Sequence, residues 1–78
     1  MRKTIGENIR RIRNRKGWTQ ERLATRSGLS LNFIGNLERG NANVSADSLE
    51  RIAKCLGVPA PQLVTDMVSP GDEGPSGD

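Results

Sequence analysis

The sequence predicts an all-α fold, five short helices closed into one compact domain and followed by a loose C-terminal end. Apolar residues recur at spacings of three and four, and no alternating run marks a strand. Most of the apolar clusters are preceded by Ser or Thr and followed by glycine, the start and stop signals of helices. The chain has 78 residues, 33% of them apolar, with one Phe, one Trp and no Tyr, which is enough for one small aliphatic core.

The first helix is expected over residues 5–16. Thr4 and Glu7 form a T-x-x-E capping box, Ile5, Ile9 and Ile12 make a single apolar stripe, and Gly17 ends it. Thr19 caps a second helix of about eight residues, with Leu23 and Ala24 inward and Gly28 as its stop. Ser30 caps a third, carrying Leu31, Phe33, Ile34 and Leu37 and closed by Gly40. Only S-G-L, residues 27–29, separates these two, so they form a tight helix–turn–helix with glycine at the reversal.

A polar loop, N-A-N-V at 41–44, leads to a fourth helix capped by Ser45, with Leu49, Ile52, Ala53 and Leu56 inward and Gly57 as the stop. A fifth, shorter helix is expected between Val58 and Met67, because Pro59 and Pro61 fit only its entry and first turn. From Ser69 to Asp78 no large apolar residue occurs, and burial cannot offset the entropy of ordering that stretch. The expected division is one domain over residues 1–68 and a disordered, acidic Pro/Gly-rich tail over 69–78.

Composition narrows the function. One cysteine makes no internal disulfide, and without histidine there is neither the usual zinc set nor an imidazole base. No apolar run approaches the roughly 18 residues of a membrane span, and the chain start lacks the apolar stretch of a signal peptide. The expectation is a soluble cytoplasmic protein that is no enzyme and takes no metal, cofactor or small-molecule ligand. Charge is unevenly placed. Residues 1–26 hold nine of the twelve basic side chains against two acids, a balance of +7, and residues 27–78 hold three against seven, a balance of −4. A basic half beside an acidic half fits one face made for a polyanion, and equally an Arg-rich solvated helix.

The third helix offers base-reading chemistry. Asn32 and Asn36 are four apart and project from one side, and asparagine can pair bidentately with adenine, whereas Leu31 can meet a thymine methyl. Thr19 and Gln20 open the second helix, where free amides and the positive dipole end hold a phosphate. Phe33 has two uses: partial burial beside Leu23, or an aromatic edge against a base methyl or sugar. Gly35 costs about 1 kcal/mol inside a helix relative to Ala. Close approach of the DNA backbone or of a neighbouring helix would explain it.

Four strings, I-R-R-I-R-N-R-K-G-W-T-Q-E-R-L-A at 9–24, S-G-L-S at 27–30, I-G-N-L-E-R-G at 34–40 and S-L-E-R-I-A-K-C-L-G-V at 48–58, occur in order. Together they resemble the phage-repressor and Cro type of helix-turn-helix domain over roughly residues 5–66. The small controller proteins of restriction–modification systems are especially similar in length and in the E-R-G-x-x-N-[VI]-S stretch. The resemblance implies a recognition helix at about 30–38 in the major groove, with Ser30, Leu31, Asn32 and Asn36, and Phe33 in its aromatic role, reading bases. It also implies an ion pair between Arg13 and Glu38 that pins this helix. Phosphate contacts are expected from Gln20 and Thr19, then Arg39, Asn41 and Asn43 around the following loop, with Arg10 and Arg11 on the first helix. For each arginine, plain solvation is the alternative. Ala42 stands where relatives often carry a basic residue, so no loop contact is expected there.

Trp18 and Cys55 stand where relatives carry other apolar or small residues, and both are read as core, with a redox role for the Cys55 thiol as the alternative. Proteins of this type bind palindromic operators as two-fold dimers. The apolar residues left for a self-complementary patch are Val58, Leu63, Val64, Met67 and Val68, unless Leu63 and Val64 simply complete the monomer core. The partners so implied are double-stranded operator DNA, a second copy of the chain, and RNA polymerase, either occluded or touched through an exposed acidic patch. Control then comes from protein concentration, as in an autoregulator. An antitoxin of a toxin–antitoxin pair shares the same DNA-binding half, but the tail is unsuited to holding a toxin. An interaction adaptor that has lost DNA binding is the third reading, and the basic N-terminal half argues against it.

Overall fold

The computed structural model describes residues 2–65, with side chains from Thr4 onward. Five helices follow in order: α1 (Arg2–Arg15), α2 (Gln20–Ser27), α3 (Leu31–Glu38), α4 (Ala46–Leu56) and α5 (Ala60–Val64). Among the described residues there is no strand. Met67, Val68 and the stretch over 69–78 lie outside the described residues.

The side-chain caps stand where their residue types require them. Thr19, Ser30 and Ser45 each accept a hydrogen bond from the backbone N–H three residues on, at 3.1, 3.0 and 3.1 Å. Gly28 ends α2 with φ +75°, a left-handed conformation that lets the chain reverse into α3 within three residues.

Two boundaries differ from expectation. α1 begins at Arg2, so Thr4 lies inside the helix and the T-x-x-E box does not form its start. Arg2 and Lys3 are good helix formers, and nothing before Thr4 stops the helical backbone. At the other end α5 is only five residues long, because Thr65 adopts an extended conformation (ψ 136°).

Contacts between helices run round a closed ring, α1 to α3, α3 to α2, α2 to α4, α4 to α5 and α5 back to α1. Inside it lie Ile5, Ile9, Ile12, Leu23, Ala24, Ile34, Leu37, Ile52, Ala53, Leu56 and Leu63. The larger of these contribute about 1.5–3 kcal/mol each on burial.

Leu63 has no exposed surface in the single chain, so the monomer core claims it and it cannot serve a dimer interface. Val58 and Val64 are half-buried at the edge of that core. The ring closes through Asn8, which is fully buried. Its Nδ2 donates to the carbonyls of Leu63 at 2.7 Å and Thr65 at 2.8 Å, satisfying acceptors that a helix end leaves free. The Cys55 thiol, half-buried, donates to the Arg26 carbonyl at 3.1 Å and so ties α4 to the last turn of α2.

Candidate nucleic-acid interface

α3 has two distinct faces. Ile34, Gly35, Leu37 and Glu38 are buried, whereas Ser30, Leu31 and Asn32 at its N-terminal end are exposed. Leu31, at 45%, is the exposed large hydrophobic among the described residues. Phe33 is half-buried and packs against the core. Asn36 is half-buried, and its Oδ1 accepts a hydrogen bond from Arg39 Nη2. That oxygen keeps a second lone pair, so Asn36 retains an acceptor as well as its N–H donors while Arg39 holds it.

The buried end of α3 is held by a chain of charged hydrogen bonds. Arg13 Nε donates to Glu38 Oε2 at 2.7 Å and Nη2 donates to Oε1 at 3.1 Å, a two-point pairing. The two side chains are only 10% and 3% exposed. Arg13 Nη1 also donates to the Trp18 carbonyl at 2.6 Å, and Gln20 Nε2 donates to Glu38 Oε1 at 3.0 Å. One carboxylate therefore fixes the end of α1, the first residue of α2 and the last residue of α3 relative to one another. Gln20 remains half-buried, with a second amide N–H beyond the one given to Glu38.

The other expected phosphate ligands are dispersed. Thr19 is exposed beside Gln20, and Arg39, Asn41 and Asn43 are exposed after α3. Arg10 is exposed on α1. Arg11 is half-buried, and its Nε is enclosed without a hydrogen-bond partner among the described residues. Neither arginine is bonded to α2, α3 or the loop after α3.

Gly35 and Gly6 show what local pattern does not reveal. A Cβ on Gly35 would meet only movable side-chain ends, Arg39 Nη1 at 3.4 Å and Gln20 Oε1 at 3.7 Å. No backbone of a neighbouring helix crowds it. Gly35→Ala should therefore raise the unfolding free energy by about 0.5–1 kcal/mol in urea denaturation, the ordinary gain of Ala over Gly in a helix. A loss of stability would mean that Arg39 and Gln20 cannot give way. Gly6 is the opposite case: it lies where α1 crosses the end of α3, against the backbone of Leu37 and Glu38.

A short helix pair joined by a glycine turn, with the second helix locked from behind and presenting a polar N-terminal face, defines a helix-turn-helix unit. A helix-turn-helix family model matches residues 9–63, and the chain belongs to that family, one of DNA-binding transcription regulators and not of enzymes. The chain is 44% identical over 77 residues to y4dJ, an HTH-type transcriptional regulator of Sinorhizobium fredii, covering 99% of this chain and 95% of that one. It is 38% identical over 69 residues to the control protein C.BamHI of Bacillus amyloliquefaciens, covering 87% of this chain and 84% of that one. The solved structure of the restriction-modification controller protein C.AhdI from Aeromonas hydrophila matches with a TM-score of 0.77 at 35% identity, over 80% of this chain and 94% of that chain. No helix among the described residues is long and apolar enough to cross a membrane.

Proposed function

We propose that the protein is a cytoplasmic transcription regulator that binds a palindromic operator as a homodimer, with α3 in the major groove, and controls its own promoter in the manner of a restriction–modification controller. The observation that carries this is the exposed N-terminal face of α3. Leu31 and Asn32 stand exposed side by side there, one suited to a thymine methyl and the other to a base edge. Ser30, Leu31, Asn32 and Asn36 read bases, with Arg39 steadying the Asn36 amide and Phe33 at the groove wall. Thr19, Gln20, Arg39, Asn41 and Asn43 take phosphates around them, and Arg10 and Arg11 lie further along the basic half. The bidentate Arg13–Glu38 pair orients α3 and reads nothing itself.

Two copies supply the specificity that a single recognition helix lacks. The dimer surface is centred on Val58 and Val64, with Met67 beyond the described residues. Val58 and Ala60 also line a groove along α4 with Glu50 and Lys54, which gives the patch a charged rim. Bound at a promoter, such a dimer acts by excluding RNA polymerase or by touching it.

The test is a titration of fluorescent promoter DNA from upstream of the chain's own gene, at two salt concentrations, with random duplex as control. Tight cooperative binding to the promoter over random DNA supports the reading, and absence of binding at low salt overturns it. In the same assay Asn32→Ala should cost about 1–3 kcal/mol of operator binding and relax discrimination at one base pair, with the salt slope unchanged. Equal losses on operator and random DNA would remove Asn32 from the base-reading set.

A further inference from the structure

Trp18 does more than fill the core. Its ring is half-buried against the core cluster, and three cations stand over the remaining surface. Lys16 Nζ lies 5.2 Å from the ring centroid, the Arg22 guanidinium carbon 5.2 Å and the Arg26 guanidinium carbon 5.3 Å. All three side chains are exposed, and none forms an ion pair among the described residues, although Glu21 lies on the same helix. Like charges so close repel one another. The negative face of the indole offsets part of that repulsion and holds the cations in place. What remains is a concentrated positive field with no counter-charge paired to it among the described residues.

The cluster adjoins the start of α2. Trp18 directly precedes Thr19, whose side chain caps α2, and Lys16 and Arg22 flank that end in sequence. The free amides of the first turn and the dipole of an eight-residue helix favour an anion on the same side. We infer that the Trp18 cluster is a second backbone-contact site on which Lys16, Arg22 and Arg26 take phosphates of double-stranded DNA flanking the sequence read by α3. This rests on the DNA-binding reading and extends it. The footprint reaches past the recognition helix onto the corner between α1 and α2, and these contacts add affinity without sequence preference.

Two measurements test it. On a random-sequence duplex, the triple variant Lys16→Gln/Arg22→Gln/Arg26→Gln should lower the slope of log K against log salt by about two to three units, at about 0.9 per lost phosphate contact. Each single substitution should lower it by about one unit. The ratio of operator to random binding should stay the same, because no base contact is removed. A parent-like slope in the triple variant overturns the inference and leaves the regulator reading standing, whereas a parent protein that binds no duplex overturns both. The second measurement needs no DNA. Trp18 is the sole tryptophan of the chain, so its emission reports this site alone. With each ion scaled to its quenching of free N-acetyltryptophanamide, iodide should quench it more strongly than caesium does, and that scaled excess should vanish in the triple variant. Equal scaled quenching by both ions in the parent would show that no anion gathers at the cluster.

Discussion

Glu38→Ala is expected to lower the unfolding free energy by about 3–5 kcal/mol, a large share of the stability of a domain this small. The substitution removes both acceptors from Arg13 Nε and Nη2 and leaves the guanidinium in a site where its side chain is 10% exposed. The remaining bond to the Trp18 carbonyl satisfies only Nη1. Most of the loss is thus the penalty of an unpaired charge out of water, and not the net worth of the bridge. The distinction is measurable. Arg13→Met/Glu38→Leu removes both charges, fills similar volume, and should recover most of the stability in urea denaturation. If Glu38→Ala instead costs less than about 1 kcal/mol, the pair behaves like a solvated surface bridge. Operator affinity separates the two roles further. The double variant should fold yet bind weakly, because Gln20 loses the carboxylate that positions its amide at the start of α2.

Gly6→Ala is expected to cost about 2–3 kcal/mol and to lower the melting temperature by roughly 10–20 °C. Two effects oppose each other. Alanine favours the helical backbone by about 1 kcal/mol over glycine. Against this, the new Cβ would overlap the Leu37 carbonyl oxygen and lie 2.9 Å from that of Glu38. Both obstacles are backbone at the end of α3, so relief requires α1 and α3 to separate, which strains the packing of Ile5 and Ile9 and the Arg13–Glu38 geometry together. Sterics win, and the sign is opposite to that of Gly35→Ala, although both glycines are buried in helices. Thermal melts of the two variants side by side would check this, and a stabilised Gly6→Ala protein would mean that the crossing is looser than its backbone distances indicate.

These two glycines show which parts of the molecule the chain spells out locally. Thr19, Ser30 and Ser45 are recognisable as caps because a cap and its amide lie within one turn. Gly28 and Gly57 are recognisable as stops for the same reason. The same local logic fails at Thr4, where a capping signal is overridden by good helix formers before it, and at α5, whose end is set by the backbone of Thr65. The Arg13–Glu38 pair comes from family resemblance, since 25 residues separate its partners. Gly6, Asn8 and the cations around Trp18 depend on which helices meet. Asn8 in particular breaks the apolar stripe of α1 with an amide, and only the arrival of α5 explains it. At the N-terminal end of α3, the exposed Ser30, Leu31 and Asn32 follow from helical periodicity, whereas the engagement of Asn36 by Arg39 depends on rotamers that no spacing encodes.

The closure of the helical ring through Asn8 has a consequence for the order of folding. The bond from Asn8 to the Leu63 carbonyl spans 55 residues, and the core position of Leu63 is filled by nearly the last described turn of the chain. During synthesis α2 and α3 can pair as soon as they emerge, since their contacts are close in sequence. The seam of α1 that receives α5 must wait, with Asn8 hydrated, until α5 has been made. Loop closure of α5 onto α1 is the longest-range of the helix contacts described, beyond that between α1 and α3, and it makes the helix-turn-helix pair the early part of the domain and α5 the late one.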